Sequence, residues 1–266
     1  MASRGVKGQV DFSKGQNYLK AEVMNEQRVF VLTTPDYKIM IPFSGQLKLE
    51  KQPEMSYEEM NTPMQESEKS SAYRRAESTL EHPNSNKIQL VGLGLTSKEI
   101  TSLLSQYSEK LEDISDLEIN LGDNDITTFP TILLNMKTLK SVNLDNNRIK
   151  AFPKNNPSKK VEIKKEKCPN LQEISLDRNN LSTFTDEFLE LDQIKHLSLN
   201  DNRFSELPSD ISKLEHLKDL QIRENQLSKL PESITTLKEL RSLQASRCGL
   251  TELPADFNKL KNLTVL

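Results

Sequence analysis

Residues 194–266 read IKHLSLNDNRFSELPSDISKLEH, then LKDLQIRENQLSKLPESITTLKE, then LRSLQASRCGLTELPADFNKLKN, then LTVL. One phrase returns every 23 residues, as the positions of Asn202, Asn225 and Cys248 show. Each copy opens with apolar residues at its first, fourth and sixth places (Ile194, Leu197 and Leu199 in the first copy). The two-residue step from the fourth to the sixth place describes a short strand with leucines on one side and polar residues on the other. Leu207-Pro208, Leu230-Pro231 and Leu253-Pro254 follow, where proline ends strand pairing and presets a tight turn. Ile211 and Leu214, or Ile234 and Leu237, then return to the interior. Units of this kind bury their apolar side only by stacking, so the period predicts a solenoid.

The same spacing is found upstream. Ile119, Leu121, Asn124, Ile126 and Phe129-Pro130 fit, although Asp116 occupies the place of the first leucine. Leu139, Val142, Leu144, Asn147, Ile149 and Phe152-Pro153 fit fully, and Leu171, Ile174, Leu176, Asn179, Leu181 and Phe184 fit with Thr185 in place of proline. Asn147 and Asn179 lie 32 residues apart, nine more than the period, so an insert falls at 154–167. The array begins at Lys87, with Ile88, Leu90, Leu93 and Leu95 at the apolar places. A helix should follow, capped by Thr96 or Ser97 with Glu99 near its third position, and with Ile100, Leu103, Leu104 and Tyr107 on its inner face.

These units match the leucine-rich-repeat pattern L-x-x-L-x-L-x-x-N/C-x-L. The LPxxI form of residues 194–266 resembles the Ras-group class of intracellular leucine-rich-repeat proteins. The longer first unit is similar to the helix-bearing repeats of the ribonuclease-inhibitor type. The resemblance implies an α/β solenoid with a parallel concave sheet and short helical or 3-10 turns on the convex side. It also implies a protein-interaction scaffold, since the class includes partners of small GTPases and phosphatase subunits. Similar repeats serve as substrate receptors of ubiquitin ligases and as targeting regions of larger enzymes. An alternative is therefore the regulatory or substrate-recognition region of a larger enzyme or ubiquitin-ligase complex whose working domain lies beyond residue 266. The chain stops part-way through a strand, which predicts that the array continues.

Residues 1–50 do not follow the repeat. Arg28–Thr33 is β-branched and aromatic, Thr34-Pro35-Asp36 has turn chemistry, and Tyr37–Ile41 alternates again, which reads as a β-hairpin. An isolated hairpin is marginal in water, so it should pack on other strands of a small β module or on the end of the solenoid. Residues 51–86 are dominated by Glu, Ser, Met, Pro and Gln. With few large apolar side chains to offset the entropy of ordering, they read as a disordered linker.

Charged residues make up 28% of the chain but the formal net charge is only −3, so no overall field points to nucleic acid or an anionic membrane. No apolar run approaches the roughly 20 residues that span a bilayer, and Met1–Lys20 has no signal-peptide-type segment. The two cysteines cannot form a disulfide framework, and the cysteine-stapled cap of secreted relatives is missing. A cytoplasmic or nuclear protein is expected. Cys168 and Cys248 occupy apolar and ladder positions of the repeat, where a small buried side chain is needed. The chain shows no phosphate loop, metal-ligand spacing or nucleophile motif, so no catalytic role, metal or cofactor is expected.

Binding is expected on the concave face. One polar column is Asn120, Asn143, Ser175, Ser198, Gln221 and Gln244. Another is Gly122, Asp145, Asp177, Asn200, Arg223 and Ser246. The column nearest the bend is Asp123, Asn146, Arg178, Asp201, Glu224 and Arg247. The candidate contact residues are Asn143, Asp145, Asp177, Arg178, His196, Asn200, Asp201, Gln221, Arg223, Glu224, Gln244 and Arg247. A curved polar face without aromatic platforms suits a protein partner better than single-stranded nucleic acid. Three readings fit the basic insert: a docking loop for an acidic partner, a nuclear-localisation patch, and a solvated loop. Glu162 and Glu166 within it weaken a nucleic-acid role.

Overall fold

The computed structural model describes the backbone of residues 18–24, 27–33, 37–42 and 48–51, and, with side chains, residues 70–81, 83, 85–155 and 163–266. The chain divides into two units, Met1–Ser56 and Tyr57–Leu266.

The first unit holds an antiparallel meander of β1 (Tyr18–Met24), β2 (Gln27–Thr33), β3 (Tyr37–Pro42) and β4 (Lys48–Lys51), paired in chain order. The expected hairpin is β2–β3, with Phe30 opposite Ile41 and Leu32 opposite Ile39. Strands β1 and β4 pair with its outer edges, giving the hairpin the neighbours it needs.

The second unit departs from the reading of 51–86 as a linker over one stretch. Ser71–Glu81 is a helix, α1, with Tyr73, Ala76 and Leu80 fully buried. Its apolar stripe is short and diluted by polar neighbours, and it folds because α2 (Ser97–Gln106) offers a surface to cover. The Tyr73 hydroxyl meets Ser102 Oγ at 3.3 Å and donates to Gln106 Oε1 at 3.2 Å. Ser70 Oγ donates to Glu99 Oε1 at 2.5 Å. Residues 52–69, the rest of that expected linker, lie outside the described residues.

Thr96 caps α2 as expected. Its backbone N–H donates to Glu99 Oε2 at 2.9 Å, while Glu99 N–H donates to Thr96 Oγ1 at 3.4 Å. The later convex elements are shorter: α3 (Ser108–Glu112), α4 (Asp186–Leu189), and 3-10 turns at Thr131–Asn135, Lys165–Lys167, Ile211–Lys213, Glu232–Thr236 and Phe257–Lys259.

The concave sheet is parallel and in chain order: β5 (Lys87–Gln89), β6 (Leu117–Asn120), β7 (Leu139–Asn143), β8 (Glu173–Ser175), β9 (His196–Ser198), β10 (Asp219–Gln221) and β11 (Ser242–Gln244). Its middle row, Ile88, Ile119, Val142, Ile174, Leu197, Leu220 and Leu243, is buried. The irregularity at Asp116 resolves simply. Leu117 supplies the buried side chain one place later, and β7 absorbs the difference with a register shift, Leu117 opposite Leu139 but Glu118 opposite Ser141.

The insert leaves the sheet intact, with Val142 opposite Ile174. Its ends are pinned by Ile163 N–H donating to Asn155 Oδ1 at 2.7 Å, and Ile163 is buried. Residues 156–162 lie outside the described residues. On the convex side, Phe152, Phe184, Phe188 and Phe204 pack ring to ring, with Phe152 and Phe188 centroids 4.2 Å apart and Phe184 and Phe204 5.1 Å apart.

Each unit turns on a buried asparagine. The Asn147 amide donates to Leu121 O and Leu144 O, both at 3.0 Å, and its Oδ1 accepts from Ile126 N–H at 3.0 Å. Asn124, Asn179, Asn202 and Asn225 repeat this pattern. These amides satisfy backbone groups at a bend where no strand partner is available. Cys248 keeps one arm of it, Sγ donating to Ile222 O at 2.9 Å.

Candidate protein-binding face

The strand register places two polar columns on the concave face. The first is Lys87, Glu118, Ser141, Glu173, His196, Asp219 and Ser242, and the second is Gln89, Asn120, Asn143, Ser175, Ser198, Gln221 and Gln244. Where serines meet in the middle of the sheet, their short side chains leave a hollow of about 190 Å³. Its polar lining is Ser141, Asn143, Glu173, Ser175, His196, Ser198, Asp219 and Gln221. Val142, Ile174 and Leu197 complete the lining.

His196 Nδ1 lies 3.9 Å from Asp219 Oδ2, while Asp219 Oδ1 is sealed from solvent without a hydrogen-bond partner. Three of the basic residues one place before the first column, Lys140, Lys195 and Lys218, are engaged with other partners, and Arg241 before Ser242 is exposed. Lys195 Nζ donates to Gln172 Oε1 at 3.0 Å, Lys218 Nζ is 3.6 Å from Glu239 Oε2, and Lys140 Nζ is 3.9 Å from Asp116 Oδ1.

Beyond the strands runs a second set of bonds between units. Asp145 Oδ1 accepts from Ser175 Oγ at 2.6 Å and from Asp177 N–H at 2.8 Å. Asp177 Oδ1 accepts from Ser198 Oγ at 2.6 Å and Asn200 N–H at 2.8 Å, and Asn200 Oδ1 accepts from Arg223 N–H at 2.8 Å. Burial raises the Asp145 carboxyl above its ordinary value, against the opposing pull of the Ser175 and Asp177 hydrogen bonds. Asn143 belongs to this set as well as to the hollow, its Nδ2 donating to Asp145 Oδ2 at 3.1 Å.

The next residues, Asp123, Asn146, Arg178, Asp201, Glu224 and Arg247, all adopt the left-handed conformation, with φ between 52° and 58°. They therefore stand in the bend rather than on the strands, exposed to solvent. Neighbours along this row bond to each other: the Asn146 amide to the Asp123 carboxylate, and Arg247 Nη1 to Glu224 Oε1 at 2.8 Å.

Of the residues expected to contact a partner, Asn143, His196 and Gln221 share the hollow. Asp145, Asp177 and Asn200 are engaged in joining units. Arg178, Asp201, Glu224 and Arg247 form the bend row. Arg223 is exposed beside them, and Gln244 lies on the last strand, Nε2 donating to Ser242 Oγ at 3.3 Å. Ser141, Glu173 and Asp219 were not among the expected contacts. Their signal was available in the sequence: alternation brings out the residue before each buried Val142, Ile174, Leu197 and Leu220 as well as the residue after it.

Both cysteines are buried. Burial pushes the Cys168 thiol up to about 11 and raises that of Cys248, the direction that makes a thiol inert near neutrality. Among the described residues, no group of three or more His, Cys, Asp and Glu side chains could hold a metal ion. No described helix is long and apolar enough to cross a membrane.

A family model described as a leucine-rich repeat region matches residues 165–266. No curated protein matches the chain. Among solved structures, the chain is similar to a leucine-rich-repeat protein of Leptospira interrogans, at 25% identity and a TM-score of 0.55 over 71% of this chain. The match spans 56% of that protein's length. It is also similar to the leucine-rich repeat domain of the type III effector XopL, at 15% identity and a TM-score of 0.50, over 79% of this chain and 87% of that one. The second likeness is one of fold alone. Residues 87–266 form a leucine-rich-repeat solenoid, and residues 165–266 carry the sequence signature of a leucine-rich repeat region.

Proposed function

We propose that this chain is a non-catalytic scaffold or adaptor that binds a protein partner on its concave face, inside the cell and in signalling. One observation carries the reading: the outward columns of a seven-stranded parallel sheet are polar and partly exposed, and they surround a hollow at its centre. Solenoids of this kind use such curved sheets as extended binding surfaces. The resemblance of the LPxxI units to Ras-group repeats adds a small GTPase or a phosphatase subunit as partner classes, and similar repeats in ubiquitin-ligase receptors add a ubiquitin-ligase component. It also adds a location in cytoplasm or nucleus.

The test compares proteins retained by the full chain with those retained by a chain carrying Gln221→Lys, Arg223→Glu and Arg247→Glu. Loss of a specific protein with an unchanged thermal midpoint supports the reading. Retention of the same set by both chains overturns it.

A further inference from the structure

The charge of the hollow is uneven. Glu173 on β8 and Asp219 on β10 flank His196 on β9 in a single register row. Strand spacing of about 4.8 Å sets their Cα atoms about 10 Å apart. The protein supplies little to balance these carboxylates. Lys140, Lys195 and Lys218 are engaged at the rim, Arg241 is exposed on the next strand and forms no ion pair with Asp219, and no ion pair of Glu173 is present among the described residues. One oxygen of Asp219 has no hydrogen-bond partner, and the other lies 3.9 Å from His196 Nδ1. A carboxylate held in this way gains more from an incoming cation than a fully solvated one does.

We infer that the hollow is a socket for one arginine side chain of a protein partner, its guanidinium held between Glu173 and Asp219. The inference rests on the concave-face reading above and adds the chemistry of the contact. A guanidinium suits the place better than an ammonium for three reasons. It is planar and forked, so it can donate toward both strands at once, whereas an ammonium is a compact point charge. It is weakly hydrated and enters a recess at lower cost. Its flat face can lie against the His196 ring, while the Ser141 hydroxyl and the Gln221 carbonyl remain as further acceptors.

The test uses the ¹⁵N-labelled full chain titrated with N-acetyl-arginine methylamide, with the citrulline analogue as its uncharged match. The expected result is a set of amide shifts centred on His196, Ser198 and Gln221. Binding should weaken at least about tenfold with citrulline, and by a similar factor in the Glu173→Gln, Asp219→Asn double variant. If the double variant fails to fold, the single exposed change Glu173→Gln serves in its place and should weaken binding several-fold. Shifts that are absent from these amides, equal with citrulline, or unaffected by the variants overturn the socket.

A peptide library selected on the full chain separates this inference from the broader reading. Selected peptides that footprint on the concave strands and lose affinity when their arginines become citrulline support the socket. Peptides that footprint there and bind equally with citrulline overturn the socket and leave the concave face standing. Peptides that footprint only on the convex turns overturn both.

Discussion

Asp177 holds Asn200 twice: Oδ1 accepts its backbone N–H at 2.8 Å, and Oδ2 accepts its side-chain amide at 2.9 Å. The residues belong to successive units, so one carboxylate joins two neighbours of the array. Acidic side chains that look from the sequence like a partner's landing site are here part of what holds the sheet together.

Asp177→Ala should therefore destabilise the solenoid. It removes the acceptor of the Ser198 hydroxyl and of both Asn200 donors, at an expected cost of about 1–3 kcal/mol. Urea unfolding followed by circular dichroism measures this. A loss below about 0.5 kcal/mol would mean that water replaces the carboxylate without penalty.

Asp145 should make stability depend on acidity in an unusual direction. Its folded carboxyl is raised above its ordinary value of 3.8, chiefly by burial. Between 3.8 and the folded value the native state holds more protons than the unfolded one, so this group's contribution falls as pH rises through that window. In paired urea titrations, Asp145→Asn should gain relative to the parent as pH rises from below 3.8 to neutrality. A constant difference across that range would refute it.

Cys248→Asn should stabilise the last bend. In the preceding units the ladder asparagine accepts an N–H from its N-terminal neighbour, as Asn225 does from Phe204 at 3.0 Å, and a thiol is a weak acceptor. By analogy the new amide would meet Leu227 N–H, and one added buried hydrogen bond contributes about 1 kcal/mol. Calorimetry should show a higher midpoint; a lower one would show that the bend is shaped for sulfur.

Leu80→Ala should uncouple α1 from the array. Leu80 is fully buried, and such truncations cost about 2–5 kcal/mol. Hydrogen exchange should rise first in α1 and α2 and leave β9–β11 protected. Uniform acceleration along the chain would argue against local capping.

What the sequence revealed, and what it hid, follows from the range of each interaction. The strands, the asparagine bends and the cap at Thr96 rest on residues within one unit, so their spacing alone identifies them. Helix α1 did not declare itself, because Tyr73, Ala76 and Leu80 form a stripe too sparse to stand without α2. The Asp145, Asp177 and Asn200 bonds join residues 23 to 32 places apart and exist only once the register is known. Glu173 and Asp219 were one step of alternation away from the buried row, on the side of the strand left unread.

The ladder asparagines point one way. The bonds of Asn147 between units run to Leu121 and Ile126, those of Asn202 to Leu176 and Leu181, and those of Asn225 to Leu199 and Phe204. Every such bond reaches back toward the N-terminus. A unit leaving the ribosome thus finds both backbone partners of its asparagine already in place, and domains laid down from the N-terminus fold in that order during synthesis. Assembly from the other end would bury each amide before its partners existed. The bend residue therefore gives the array a direction of growth that matches the direction of translation.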